Sequence, residues 1–210
     1  MTLADILLNL ALAFGAIVVA LWYENLGAPR VVIQPGKTTD DVKPNGRRTR
    51  FLHLDVLNSP RRVPLVTRQT AFAAHGSIQF HAANGEPISG AMPIRWDGSP
   101  EPVKHEILNA SVVSLLDHRL LRISRFIEIF PDEKESLAVA VRILGDNEAY
   151  GWTGESYIHD WRHPDFRLPL GTLRATVRIA TGDTVTTKQI SFNNPPKFEE
   201  FDLTPTLGDA

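Results

Sequence analysis

The densest run of side chains equipped for chemistry lies between Asp146 and Phe166. It holds Tyr150, Trp152, Glu155, Tyr157, His159, Asp160, Trp161, Arg162, His163 and Asp165. Rings set beside carboxylates can stack on a sugar or clasp a peptide, and long loops on a rigid scaffold often bind ligands. Trp152, Tyr157, Trp161, Asp160 and Arg162 are therefore the candidate ligand-binding residues. The alternative is structural: three large rings, each burying about 150 to 250 Å², would pin an irregular connection onto the domain. His159 and His163 stand four apart, which on a helix would put both imidazoles on one face, as zinc ligands require. Pro164 disfavours a helix there, so neither a metal site nor a cofactor is expected. Asp160 and Glu155 are the carboxylates worth testing for acid-base work, although their spacing fixes no geometry. His105-Glu106 and Asp117-His118 lack a nucleophile motif, and neither a phosphate-binding glycine loop nor a Gly-x-Ser-x-Gly elbow occurs.

A second group of candidates is electrostatic. Residues 43 to 68 contain seven basic side chains against one acid, Asp55. Arg47, Arg48, Arg61 and Arg62 are the candidate membrane-surface residues, since a basic group beside an anionic leaflet contributes about 1 kcal/mol. The alternative is a solvated strand edge whose charges discourage edge-to-edge pairing. The whole chain balances 22 basic against 24 acidic residues, which argues against a nucleic-acid partner.

What would position these groups begins at the N-terminus. From Ile6 to Trp22 there is no charge, and Asn9 is the one polar residue. With its flanks this run approaches the roughly 30 Å of a hydrocarbon core, so one membrane-spanning helix is expected over about residues 3–23. No Lys or Arg precedes it, and cuts after Gly27 or Ala28 would place Asn25 or Leu26 badly, so a retained anchor is preferred to a cleaved signal peptide. Trp22 and Tyr23 suit the headgroup layer. Arg30 and Lys37 follow the span, which predicts a cell-membrane protein whose C-terminal domain is cytoplasmic. Ala11 and Gly15, and Ala16 and Ala20, are spaced for close helix approach, so helix-helix self-association is a possible partner mode. The absence of cysteine fits a reducing compartment.

The remaining chain divides into a domain at 29–195 and an acidic C-terminal tail at 196–210, after an anchor at 1–28. Strands are predicted at 29–35, 48–58, 77–82, 94–96, 126–130, 137–143, 173–179 and 185–192. Within 48–58, Leu52, Leu54 and Val56 alternate with His53 and Asp55 as a half-buried strand would. In 173–179, Leu173, Ala175, Val177 and Ile179 alternate with Arg174, Thr176 and Arg178, and Gly182-Asp183 turns that strand into the next. Residues 37–46 read as a loop, 61–74 as extended edge chain, and 109–122 as a helix, although Val112 to Leu116 also suits a strand.

Short strands with intervening turns predict a mainly β fold, an antiparallel β-sandwich with a short helical insertion. Leu54-Asp55-Val56-Leu57-Asn58 resembles the second strand of an immunoglobulin-like or fibronectin-type domain. Leu168-Pro169-Leu170-Gly171-Thr172-Leu173 resembles the entry to its penultimate strand, with Leu173 where a tyrosine corner would place Tyr. The chain also resembles uncharacterised prokaryotic single-pass membrane proteins carrying such a domain, a resemblance that implies no activity. The expected function is a membrane-anchored, non-catalytic protein-interaction or scaffold module. The alternative is a carbohydrate- or peptide-binding module using residues 146–166, and a hydrolase comes third.

Overall fold

The computed structural model describes residues 2–43, 46–59, 68–108, 111–123, 126–182 and 184–204. The apolar run forms helix α1 (Leu3–Gly27). Its start is fixed by a reciprocal cap: the Asp5 amide donates to Thr2 Oγ1 and the Thr2 amide to Asp5 Oδ2, which satisfies donors that no helical carbonyl can reach. Twenty-five residues make about 37 Å of helix, and its apolar side chains from Leu3 to Tyr23 are exposed. It is long and apolar enough to cross a membrane.

At Ala28 the backbone turns extended, and β-structure takes over. The first strands are β1 (Val31–Pro35), β2 (Thr39–Val42), β3 (Arg48–Asn58), β4 (Ala71–Ala82), β5 (Met92–Pro93) and β6 (Arg95–Trp96). Next come β7 (Val103–Leu108), β8 (Ser111–Leu116), helix α2 (His118–Ile123), β9 (Ile127–Ile129), β10 (Lys134–Ile143) and β11 (Ala149–Gly151). The last are β12 (Arg167–Leu168), β13 (Gly171–Ala180), β14 (Val185–Asn194) and β15 (Asp202–Thr204).

One antiparallel sheet runs β1-β3-β10-β11-β12, with β2 on β3 and β6 on β10; the other runs β15-β14-β13-β4-β5, with β9 on β4. Strand alternation turns one face of each sheet into a shared core. Leu52, Leu54, Val56, Leu137 and Val139 meet Ile78, Phe80, Leu173, Val177, Ile179 and Phe192 there. Fully burying such a side chain is worth about 1.5 to 3 kcal/mol, so this layer supplies most of the fold's drive. The chain is thus mainly β, antiparallel, with one N-terminal apolar helix.

Several expectations are corrected. Residues 111–116 are strand, not helix: β8 pairs with β7 from Val103↔Leu116 to Leu108↔Ser111, and helix is confined to α2. Branched Val113 fits that pleated ladder better than a helical turn. The loop at 37–46 contains β2, because β3 offers an open edge there and Asp40 grips Arg50 across it at 2.6 and 2.9 Å. Strand β3 is covered on both faces; His53 and Asp55 are buried along with Leu52 and Leu54. Of the expected tail at 196–210, residues 196–204 pack on the domain, with Phe198 and Phe201 buried and β15 on β14, and 205–210 fall outside the described residues.

Of the proposed membrane-surface arginines, Arg47 and Arg48 lie far from the helix exit. Arg48 opens β3, whereas the helix exit joins at the other end of that strand, where Val31 pairs with Asn58. The strand is eleven residues long, so about 33 Å separates them. Arg47 lies beside Arg48, and Arg61 and Arg62 fall outside the described residues, as does half of the expected edge chain at 61–74, whose last four residues open β4.

Candidate functional site

On the outer face of the first sheet a second apolar cluster forms from Phe51, Ala138, Val141, Tyr150 and Trp152. The register explains it: Phe51 lies opposite Val141, and Val141 opposite Tyr150. Gly151 brings its strand close to the core, since a Cβ there would stand 2.8 Å from Met92 and 2.9 Å from Phe80. Directly after it, the Trp152 amide donates to the Val139 carbonyl at 2.9 Å, which aims the indole at Phe51. Phe51, Tyr157 and Trp161 then meet the Trp152 ring in tilted, edge-to-face contacts at 4.9, 5.1 and 5.4 Å. Trp152 is therefore a buried hub, while Tyr157 and Trp161 are half-buried around it.

The segment that presents Trp161 is backbone-strained. Asp160 and Trp161 have φ of 49° and 72°, the left-handed region that side chains with a Cβ rarely adopt. Each such residue costs about 1 to 3 kcal/mol and persists only where its surroundings hold it. Here the Trp161 amide donates to the Ser156 carbonyl at 2.7 Å. Lys43, which is buried, donates from Nζ to the Asp160 carbonyl at 3.1 Å and pairs with the Asp160 carboxylate. The same ammonium stands 4.5 Å over the Trp161 ring. A buried ammonium is costly without such partners, so Lys43 ties the end of β2 to the strained turn.

Between β2 and these rings opens a cleft of about 820 Å³. Its size suits a small ligand. Thr39, Asp41, Phe51, Trp152, Tyr157 and Trp161 line it, and His53, Asp97, Glu101 and Ser114 complete the wall. Several polar groups of the wall are already engaged with one another. His53 Nε2 lies 3.3 Å from Asp97 Oδ2, and the Tyr157 hydroxyl donates to Glu101 at 2.7 Å. Arg95 lies 5.2 Å over the Tyr157 ring while donating to the Pro100 carbonyl at 2.7 Å. Burial first, and then the Glu101 carboxylate, push the Tyr157 phenol well above its ordinary range. The hydrogen bond from Arg50 holds the Asp40 carboxyl below its own.

Of the residues singled out from the sequence, Trp152, Tyr157, Asp160 and Trp161 line this cleft. Arg162 does not. Its guanidinium makes a forked pair with Asp146 at 2.7 and 3.1 Å and reaches Asp160 at 3.0 Å, which braces the turn from behind. Glu155 faces His163 at 3.6 Å, outside the lining. His159 and His163 meet edge to face at 4.5 Å, and His163 Nδ1 accepts from the Asp165 amide, so His163 caps a turn. Among the described residues no group of three His, Asp or Glu side chains is placed to hold a metal. Lys43, Phe51, His53, Asp97 and Glu101 were missed. The outward parity of Phe51 and His53 along β3 was the one local signal that could have found any of them. No family model matches the sequence, and no curated protein matches it.

Proposed function

We propose that this chain is a membrane-anchored binding module whose aromatic cleft takes a neutral, hydroxyl-rich ligand, carbohydrate above all. The observation that carries the reading is the cleft itself: half-open Tyr157 and Trp161 rings beside hydrogen-bonding groups, with Asp160 already paired by Lys43 and Glu101 already accepting from the Tyr157 hydroxyl. A charged ligand would have to displace those pairs. A polyol needs only ring faces and hydrogen-bonding groups, which Thr39, Asp41 and Ser114 add. We rank hydrolysis lower, because Glu155 and Asp160 do not face one another across the cleft.

The anchor is α1, and the Lys and Arg that follow it favour a cytoplasmic domain; a one-sided reporter fused after Ala210 tests that placement. The immunoglobulin-like reading of the fold is supported by strand order. One sheet contains β1-β3-β10-β6 and the other β14-β13-β4-β5, the arrangement in which A-B-E-D faces G-F-C-C′. A protein-interaction role is the second reading, favoured by the β7–β8 hairpin. That hairpin pairs with no other described strand and leaves Leu115 open.

The deciding experiment is a screen of the full chain, in mild detergent, against a panel of soluble oligosaccharides, read by tryptophan fluorescence. Saturable binding that Trp161→Ala weakens by about tenfold or more supports the carbohydrate reading. A flat response across the panel overturns it.

A further inference from the structure

The outer face of the second sheet exposes a strip of phenylalanines that the cleft does not use. Phe72, Phe126 and Phe130 are 57, 61 and 49% exposed. Strand parity places them together. In β9, Ile129 points into the core and Ile127 packs against it, so Phe126, Glu128 and Phe130 face outward. In β4, Ala71 and Ala74 are buried opposite Ile129 and Ile127, with Phe72 and Ala73 bulged out between them and His75 outward beyond. The His75 and Phe126 rings touch at 5.2 Å, which fixes both to one side. Val185, 54% exposed, continues the strip through Ala180, which pairs with both His75 and Val185.

This strip belongs to the end of the domain where α1 leaves. The Gln69 amide donates to the Gly27 carbonyl at 2.7 Å, and Arg68 donates to the Ala28 carbonyl at 2.7 Å. Buried Asn58 joins the same parts, accepting from the Arg30 amide and donating to the Gln69 and Ile129 carbonyls. Phe72 follows Gln69 by three residues, and Phe130 follows Ile129 directly. Thr186, next to Val185, donates to the Val31 carbonyl.

Depth then follows from the helix. Gly27 lies four residues beyond Tyr23, about 6 Å along the axis. The headgroup layer on each side of a bilayer is about 5 to 7 Å thick. We propose that Phe72, Phe126 and Phe130 seat at the headgroup boundary of the membrane that α1 crosses, so that the domain lies against the bilayer on its second sheet. This rests on the spanning reading of α1. Arg30 at the exit suits lipid phosphates, while Glu128, between two of the rings, keeps the seating shallow. The cleft, on the outer face of the other sheet, stays open to water.

The chain has no cysteine, so single labels can be placed at will. Full-length Phe126→Cys, Phe130→Cys, Arg174→Cys and Val18→Cys variants, each with an environment-sensitive fluorophore, are reconstituted into phosphatidylcholine–phosphatidylglycerol vesicles. Quenching by lipids bearing a nitroxide near the headgroup or deep in the acyl chain is then read. Position 174 is exposed on the same sheet, opposite His81 and far from the exit. Expected are loss of emission at 126 and 130 with the shallow quencher, little loss at 174, and loss at 18 with the deep quencher. If 18 is quenched deep while 126 and 130 behave as 174 does, the docking proposal falls and the span stands. If 18 is not quenched, the span and the docking fall together.

Discussion

Aromatic side chains gather at two places on this domain, and they are held in opposite ways. On the first sheet Trp152 is covered by Phe51, Tyr157 and Trp161, with Lys43 and Arg95 stacked on the outermost rings. On the second sheet Phe72, Phe126 and Phe130 stand outward at the end where the helix leaves, His75 touching one of them. The first set lines a cleft and mixes rings with polar groups already engaged with one another, which suits a small polar ligand. The second stands outward with Glu128 between two of its rings, which suits a shallow lipid boundary. Aromatic content alone therefore says little; what the rings lean on decides what they can meet.

The contrast is broken most severely by removing a hub on one side and a ring on the other. Trp152→Ala is expected to destabilise the domain by about 3 to 5 kcal/mol, while Phe126→Ser stays within about 0.5 kcal/mol, measured by urea unfolding in mild detergent. Similar losses for both would mean that the phenylalanine strip is packed after all.

Next in size is the joint between helix and strip. Asn58→Ala leaves the Arg30 amide and the Gln69 and Ile129 carbonyls without their partner, at a cost of about 1 to 3 kcal/mol. Amide exchange near residues 68 to 74 and 127 to 130 should rise in that variant, and unchanged protection there would remove Asn58 as the joint.

At the cleft, Trp161→Ala should weaken oligosaccharide binding by about tenfold or more, roughly 1.4 kcal/mol, with a smaller stability loss than Trp152→Ala. An affinity untouched by that change would put the ligand elsewhere.

Two titrations sharpen the cleft side. Because Tyr157 is raised when folded, the unfolded chain releases that proton first. Its contribution is full below about pH 10 and is lost as pH rises above that point, so Tyr157→Phe should flatten the alkaline fall in stability. The smallest effect belongs to Asp40, which Arg50 holds low when folded. Its contribution is present above the ordinary carboxylate pKa and lost as pH falls through the lower folded value. Being well exposed, it is worth about 0.2 to 1 kcal/mol at neutral pH, read as the difference between Asp40→Asn and the parent chain.

Local pattern was enough for much of the fold. An uncharged run long enough to span a bilayer can be little else than an apolar helix, and α1 is one. Alternation in β3 and β13 marked which side chains face the core, because side-chain parity is a property of the extended backbone itself. At 111–116 the apolar spacing fitted two periods, and pairing with β7 chose between them.

The candidate site was legible only as a composition. Residues 146–166 announced rings and charges, and four of the five nominated side chains do line the cleft. That Arg162 turns away to Asp146, and that Lys43 lies buried against Asp160, depends on segments more than 100 residues apart in the second case. Sequence by itself determined the helix, the strand parity and the stock of aromatic groups, since each follows from neighbours along the chain. Tertiary structure alone decided that β3 is covered on both faces, that the cleft exists between β2 and the turn at Trp161, and that three phenylalanines share the end where the helix leaves. Those facts arise from which sheet edges meet, and a local period holds no record of that.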